Sequence, residues 1–437
     1  MHKATCYNPF LPLDKYIPDG EPRVFGNRIY LYGSHDKERG DSFCLLEYEV
    51  FSAPIDDLSN WTSPGVAYHF REDPYFKEGY SGYAPDCVKG KDGRYYLYYC
   101  LAGYKGADGY NQPISVAVSD YPDRGFHFYG HVKDRNGNIL IGEYINFDPA
   151  LLDDDGIIRL YFGAYYPWEI YHLPKFIIDR ISLKMFKSKD IKMGAFNCVL
   201  KDDMLTIDSE IFETITQAQE KDEFKEHPFF EANSIRKING IYYFIYSSWH
   251  NHELCYAMSK CPNKGYKFQG RIISNGDVGI DNRTLKNPAF PLGNNHGSIE
   301  CINGQYFVFY HRQTHNTSYS RQACLEKVCF DINGNIIQSR MTSSPLGALL
   351  ADGIYPAQIC SSLYGKKPYF AKNSGFNKRY KNPFINSGPD GVFIDNIRDG
   401  THIAYRSFRF QNKAYLGLEL SGKGKLRLRN IRFKNGG

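Results

Sequence analysis

The sequence predicts an all-β protein, with a five-bladed β-propeller over residues 1–338 and a jelly-roll-like β-sandwich, complete or cut short in strand number, over residues 339–437. Three observations predict it. A polar residue precedes the same strand–turn–strand pattern five times. Aromatic and β-branched runs such as RIYLYGS, RYYLYYC and IYYFIYSS flank turns that contain Gly or Asn. Helical periodicity over three turns is scarce, and its best candidate is the stretch around 207–225.

The five segments start at Asp19 (DGEPRVFGNRIYLYGS), Asp86 (DCVKGKDGRYYLYYC), Asp148 (DPALLDDDGIIRLYFG), Glu231 (EANSIRKINGIYYFIYSS) and His296 (HGSIECINGQYFVFYHR). Their turn glycines are Gly26, Gly93, Gly156, Gly240 and Gly304. Successive starts lie 67, 62, 83 and 65 residues apart. A blade of four short strands takes roughly 40–50 residues, so longer loops fill the remainder, and the predicted helix explains the longest spacing. Residues 116–130 (VAVSDYPDRGFHFYG) and 256–270 (YAMSKCPNKGYKFQG) read as a third strand, a Pro/Gly turn and a fourth strand. Residues 52–65 are a looser version. The first strand of every blade lines the central channel in the same direction, so the five polar starts are expected to meet at one end of it. After residue 340 a connection (TSSPLGALLADGIYPAQICSS) leads to alternating strands. About 95 residues are few for a complete eight-stranded jelly roll.

Composition narrows the functional classes. Net charge is +5, with both signs spread along the chain and no basic stripe interleaved with aromatics, which excludes nucleic acid as the expected partner. The basic last thirty residues read as a solvated strand face. No stretch is apolar and long enough to span a membrane. The first residues, MHKATCYNPFLPLD, lack an apolar signal core, so the expected location is the cytoplasm. The 11 cysteines have no paired spacing and read as small buried residues in a reducing compartment. The 36 tyrosines and 30 phenylalanines suit strands and sugar-holding surfaces.

Four carboxylates at matching positions repel one another, which raises at least one pKa. Chemistry, a metal cage and a binding propeller without chemistry all remain open on the repeat alone. Glycoside hydrolysis needs two carboxyl groups across a sugar bond, one protonated and one ionised. Asp92, Asp153, Asp154 and Asp155 sit in hairpin turns and read as turn formers. The HNH at 250–252 lacks metal-ligand spacing.

Over about residues 7–335 these motifs resemble glycoside hydrolase family 43, a five-bladed propeller family of inverting arabinofuranosidases, xylosidases and arabinanases. IPDGEP at 17–22 resembles the segment with the general base, which points to Asp19, with Glu21 as a rival because Gly20 stands where proline is usual. NFDPALLDDDG at 146–156 resembles the third-blade motif, making Asp148 the residue that tunes and orients the acid. FFEANSIRKINGIYYFIYS at 229–247 resembles the segment with the general acid, here Glu231. NNHGSIE at 294–300 resembles the last-blade motif, which places His296 beside a channel calcium ion or water cluster. YAPD (Tyr83, Asp86) and YHRQ (Arg312) resemble stretches lining the sugar pocket. Phe147, Trp168 and Trp249, near the ends of the inner strands, are candidates for an apolar wall against a sugar ring. The resemblance implies a hydrolase releasing a terminal pentose, α-L-arabinofuranose or β-D-xylose, with loops 34–43, 101–113, 164–172 and 249–253 closing the pocket. A galactan-acting or retaining glycosidase and a non-catalytic glycan binder are the alternatives.

Overall fold

A computed structural model describes residues 6–104, 112–166, 174–186, 188, 190–215, 223–366, 382–389, 391–410, 417 and 419–421. The described chain is all-β apart from short 3-10 turns and one helix, α1 (Lys175–Phe186). Five antiparallel sheets follow one another. The first holds β1 (Glu21–Phe25), β2 (Arg28–Tyr32) and β4 (Phe51–Pro54), beside a small ladder of β3 (Tyr48–Glu49) and β5 (Val66–Tyr68). The second is β6 (Tyr80–Lys89), β7 (Tyr95–Gly103), β8 (Ile114–Ser119) and β9 (His127–His131). The third is β10 (Ala150–Asp154), β11 (Ile157–Phe162), β12 (Ala195–Val199) and β13 (Phe212–Ile215). The fourth is β14 (Phe229–Ile238), β15 (Ile241–Ser248), β16 (Glu253–Ser259) and β17 (Lys267–Ser274). The fifth is β18 (Ser298–Ile302), β19 (Gln305–Gln313) and β20 (Arg321–Lys327).

Each sheet is a meander, and the turn between its first two strands is the repeated glycine. Gly26, Gly93, Gly156, Gly240 and Gly304 take φ of 63, 87, 86, 77 and 79°. An added Cβ would meet nothing within 4 Å at any of them, so the requirement is the left-handed backbone alone. Asp155, Asn239 and Asn303, just before three of them, are also left-handed, as a type I′ hairpin requires.

The sheets close on themselves. First strands touch in the cyclic order β1, β6, β10, β14, β18 and back to β1. A parallel bridge between Gly20 and Gly297 joins the first sheet to the fifth. Five apolar clusters fill the five seams. One packs Tyr96, Tyr98 and Val116 of the second sheet on Leu151, Phe162 and Phe196 of the third. The others pack the third sheet on the fourth, the fourth on the fifth, the fifth on the first, and the first on the second. The Asn8 side chain donates to the carbonyl of Leu325 and the carboxylate of Glu326, latching the N-terminal segment to the fifth sheet.

One expectation is corrected. Among the described residues of 207–225 there is no helix: β13 runs through 212–215, and residues 216–222 lie outside the described chain. Asn197 Nδ2 donates to Thr214 Oγ1 across this edge, and Ile215 is buried, which is strand chemistry. The helix lies instead between β11 and β12. Just before residue 339 β21 (Cys329–Phe330) pairs with β22 (Ile336–Ile337), and beyond it the described chain forms two-stranded ladders only. These pair β23 (Leu349–Leu350) with β28 (Phe408–Arg409), β24 (Ser362–Tyr364) with β27 (His402–Ala404), and β25 (Phe384–Gly388) with β26 (Gly391–Asp395). Cys360, Leu363 and Ile385 join the core between the fourth and fifth sheets, so this segment braces the ring. No helix among the described residues is long and apolar enough to cross a membrane.

Candidate active site

Side chains on alternate residues of a strand share a face, and the inner strands therefore present layered positions to the channel. Asp19, Asp148 and Ala232 mark the outer layer, each in the left-handed region at φ 58, 48 and 67°. Glu231 sits one residue before Ala232, at a break in the β14–β15 register. His296 follows from the fifth sheet through the Gly20–Gly297 bridge.

This layer is charged and largely buried. Asp19 Oδ1 accepts from Arg321 Nη1 at 2.7 Å, and its backbone N–H donates to His311 Nδ1 at 3.1 Å. His311 Nε2 donates to the Asn294 carbonyl, which fixes its tautomer. Burial pushes the Asp19 carboxyl up, but Arg321, His311 and His296 outweigh burial and hold it below the usual carboxylate range. Arg321 is itself oriented by Asp36, with Nε to Oδ2 at 2.8 Å and Nη2 to Oδ1 at 3.0 Å, and its guanidinium lies 4.7 Å from the Phe43 ring centre.

Glu231 faces the opposite influence. Burial, then repulsion from Asp19, push its carboxyl up to about 8, with Arg321 opposing weakly. Asp148 Oδ2 accepts from the Ala232 N–H at 2.7 Å. Burial and the charges of Glu231 and Asp19 nevertheless raise Asp148 well above its ordinary value. Asp148 and Glu231 therefore act as a pair that retains a proton at neutral pH. His296 Nδ1 lies 3.7 Å from Asp148 and 4.0 Å from Asp19. Burial takes its ring down to about 4, so it is neutral. The layer thus offers one ionised carboxylate and one protonated carboxyl group within each other's electrostatic reach.

An apolar wall flanks them. Tyr83 and Phe147 are buried, 5.8 Å apart, in a cluster with Cys100, Ile145 and Ala164. The Cys100 thiol is raised by burial first and then by the nearby Asp148, Asp19 and Glu231 charges, which places this cluster against the carboxylates. Trp249 packs edge-on at 4.8 Å against Phe230, the neighbour of Glu231. Trp168 lies outside the described residues.

Two expected pocket residues lie elsewhere. Asp86 sits deeper than Asp19, because Ala84 and Pro85 form a bulge in β6 and Ala84 takes the outer position. Its carboxylate is bound by both nitrogens of the Arg23 fork, at 2.8 and 2.5 Å, and by the Leu151 N–H. The deeper channel is a paired network: Arg236 donates to Glu21 at 2.7 Å and approaches Glu300 at 3.3 Å, and Ser234 and Ser298 share a hydrogen bond. Glu21 therefore belongs to the channel packing. Arg312 is fully buried and bonded to the carbonyls of Cys360 and Asn8. It pairs with Gln322 across the ladder while Arg321 pairs with Gln313, so the two arginines face opposite seams. Arg321, Asp36 and His311 are the site residues that sequence reading missed. They sit on a loop and two strand ends that carry no repeat signature.

The resemblance implied calcium at His296. Calcium takes six to eight oxygen ligands. Here the neighbouring carboxylates are committed to Arg321 and to a backbone N–H, and the deeper ones to Arg23 and Arg236. Among the described residues no three His, Cys, Asp or Glu ligand atoms gather tightly around His296; the one such group is His227, Glu253 and Cys255, joined by their own hydrogen bonds. The side chains present do not form a calcium cage.

Comparison with known proteins bears on this arrangement. A family profile described as glycosyl hydrolases family 43 matches residues 7–336. A xylosidase/arabinosidase of Thermoclostridium stercorarium is 41% identical over 417 residues, covering 92% of this chain and 82% of the relative. Xylosidase/arabinosidase 43A of Humicola insolens is 28% identical over 74% of this chain and 97% of its own. Among solved structures, a family 43 β-xylosidase/α-arabinofuranosidase from a compost microbial metagenome, in complex with xylotriose and calcium-free, superposes with a TM-score of 0.58 at 25% identity. That match covers 77% of this chain and 97% of the other.

Proposed function

The chain belongs to glycosyl hydrolases family 43, and from that premise we propose that it is an inverting glycosidase releasing terminal β-D-xylose or α-L-arabinofuranose from hemicellulose-type oligosaccharides. The observation that carries the reading is the split between two carboxyl groups of one layer: Asp19 held ionised beside Arg321, and Glu231 held protonated near neutral pH. The names of the relatives, and the xylotriose in one neighbouring structure, support the pentose.

In this mechanism Asp19 takes a proton from a water molecule, whose oxygen attacks the anomeric carbon. The bond to the leaving oxygen breaks as Glu231 delivers its proton to that oxygen. Asp148, raised by burial and then by the Glu231 charge, shares the retained proton with Glu231 and fixes the backbone at Ala232. Tyr83, Phe147 and Trp249 form the apolar side of the sugar pocket, and His296 is a neutral neighbour of both aspartates, 3.7 Å from Asp148 and 4.0 Å from Asp19.

The same reading treats the five sheets as blades of a propeller spanning 1–338, supported by the cyclic contact of their first strands. The segment 339–437 is a second β unit of sandwich type that braces it.

A panel of 4-nitrophenyl pentosides and galactosides tests the activity. Proton magnetic resonance of the first product formed tests inversion. Release of the retained anomer, or turnover of galactosides alone, overturns the proposal.

A further inference from the structure

The turn between the third and fourth strands occurs twice in nearly the same form. In the second sheet it is Ser119 to Phe126, and in the fourth Ser259 to Tyr266. Both copies build the same frame. The serine hydroxyl donates to the carbonyl of Arg124 or Lys264, and accepts from the N–H of Tyr121 or Cys261. The proline carbonyl accepts from a tyrosine of the preceding sheet, Tyr32 at 2.5 Å or Tyr161 at 2.7 Å. The frame is therefore a structural device that seals one sheet to the next.

What the frame carries differs. In the fourth sheet Cys261 bonds back to Asn263, and Asn197 caps the Asn263 carbonyl, so that copy is closed. In the second sheet the same positions hold Tyr121, Asp123 and Arg124. Tyr121 is 52% exposed, with the Arg124 guanidinium 4.2 Å from its ring centre. This copy lines a groove of about 520 Å³ whose other wall is Arg28, Ser52 and Thr62 of the first sheet. Arg28 donates to the oxygens of Ser52 and, at 3.5 Å, to Thr62 Oγ1, and meets no carboxylate among the described residues. Arg124 pairs with Asp123, the one acidic side chain lining the groove. Two guanidinium groups thus face one carboxylate, beside an exposed aromatic ring and two hydroxyls.

Aromatic faces and planar donors suit sugar rings, and a surplus guanidinium fork suits a carboxylate. We propose that this groove is a second, non-catalytic glycan site that holds xylan through a hexuronate side group. Its ligand class rests on the pentosidase reading above. β1 runs from Asp19 towards Gly26, and Arg28 starts the return strand, so the groove opens at the end of the ring opposite the carboxylates. It therefore anchors the enzyme on polymer without feeding the pocket directly.

The test runs the full chain through native gels cast with glucuronate-bearing xylan, with neutral linear xylan, or with no polysaccharide. Turnover of 4-nitrophenyl β-D-xyloside is measured alongside. The wild type is expected to be retarded by the acidic xylan above the neutral one, and added salt should relieve it. Tyr121→Ala and Arg124→Ala should each weaken retention about tenfold and leave pentoside turnover unchanged. Asp123→Asn, which removes the competing carboxylate, should strengthen retention, and a gain of binding cannot come from misfolding. Equal retardation of wild type and variants, equal retardation by neutral and acidic xylan, or no retardation overturns the site. A chain that is retarded but cleaves no pentoside removes the hydrolase reading and leaves the groove; the reverse result removes the groove alone.

Discussion

Two layers of one channel, two to four residues apart along the same strands, have opposite electrostatics. In the deeper layer Glu21, Asp86 and Glu300 meet Arg23 and Arg236, and charge is matched by guanidinium forks. In the outer layer Asp19, Asp148 and Glu231 share a single arginine, Arg321. The deeper layer is architecture. In the outer layer burial first, and then repulsion that too little positive charge offsets, keeps a proton on a carboxyl group at neutral pH. The lesson is that a buried carboxylate becomes a reagent when its compensation is withheld.

Substitutions can break this contrast. Asp19→Asn and Glu231→Gln should each lower kcat by ~10²–10⁴-fold, measured on nitrophenyl pentosides, with near-unchanged circular dichroism. Arg321→Met removes the cation that counters burial at Asp19. The acid limb of kcat/KM should move to higher pH, and stability should fall by about 3–5 kcal/mol because Asp36 is left unpaired. Asp86→Asn in the deeper layer should cost stability on the same order but leave the pH profile of kcat where it is. A shifted profile would place Asp86 in the chemistry.

Titration sharpens the contrast further. Glu231 has its folded value raised to about 8, so its contribution to stability is present at low pH and lost as pH rises through 8. The alkaline limb of activity should fall in the same range. Glu231→Gln should melt a few °C above the wild type at pH 9 and show no such gain at pH 5, as read by calorimetry. The smallest effect is expected from a chelator: kcat should change by less than about twofold, since the channel carboxylates are already held by arginines and backbone.

Much of this was legible in the chain. The five turn glycines marked the five sheets because a left-handed turn has few other solutions. Asp19, Asp148 and Glu231 were picked out by local motifs and do share one layer. Asp86 was misplaced because a two-residue bulge at Ala84–Pro85 is invisible to a count from the turn. Arg312 was chosen over Arg321 because alternation decides which seam an arginine faces, and strand phase cannot be read from a motif alone. Asp36 and His311 act through contacts nearly three hundred residues apart in sequence, a distance at which local pattern carries no signal. The helix was set in the wrong interval because the stretch around 207–225 has a helical period, yet Thr214 and Ile215 find better partners across a ladder.

Asp19 and Arg321 lie on either side of the junction where the last sheet meets the first, the same junction latched by Asn8 and bridged at Gly20. The joint between the chain's last sheet and its first is thus also the one that holds the Asp19 carboxylate against its cation. Heating that merely parts this joint would silence the enzyme while every sheet still holds its ladder. Catalytic loss would then run ahead of melting, and turnover would serve as a gauge of whether the circle is shut.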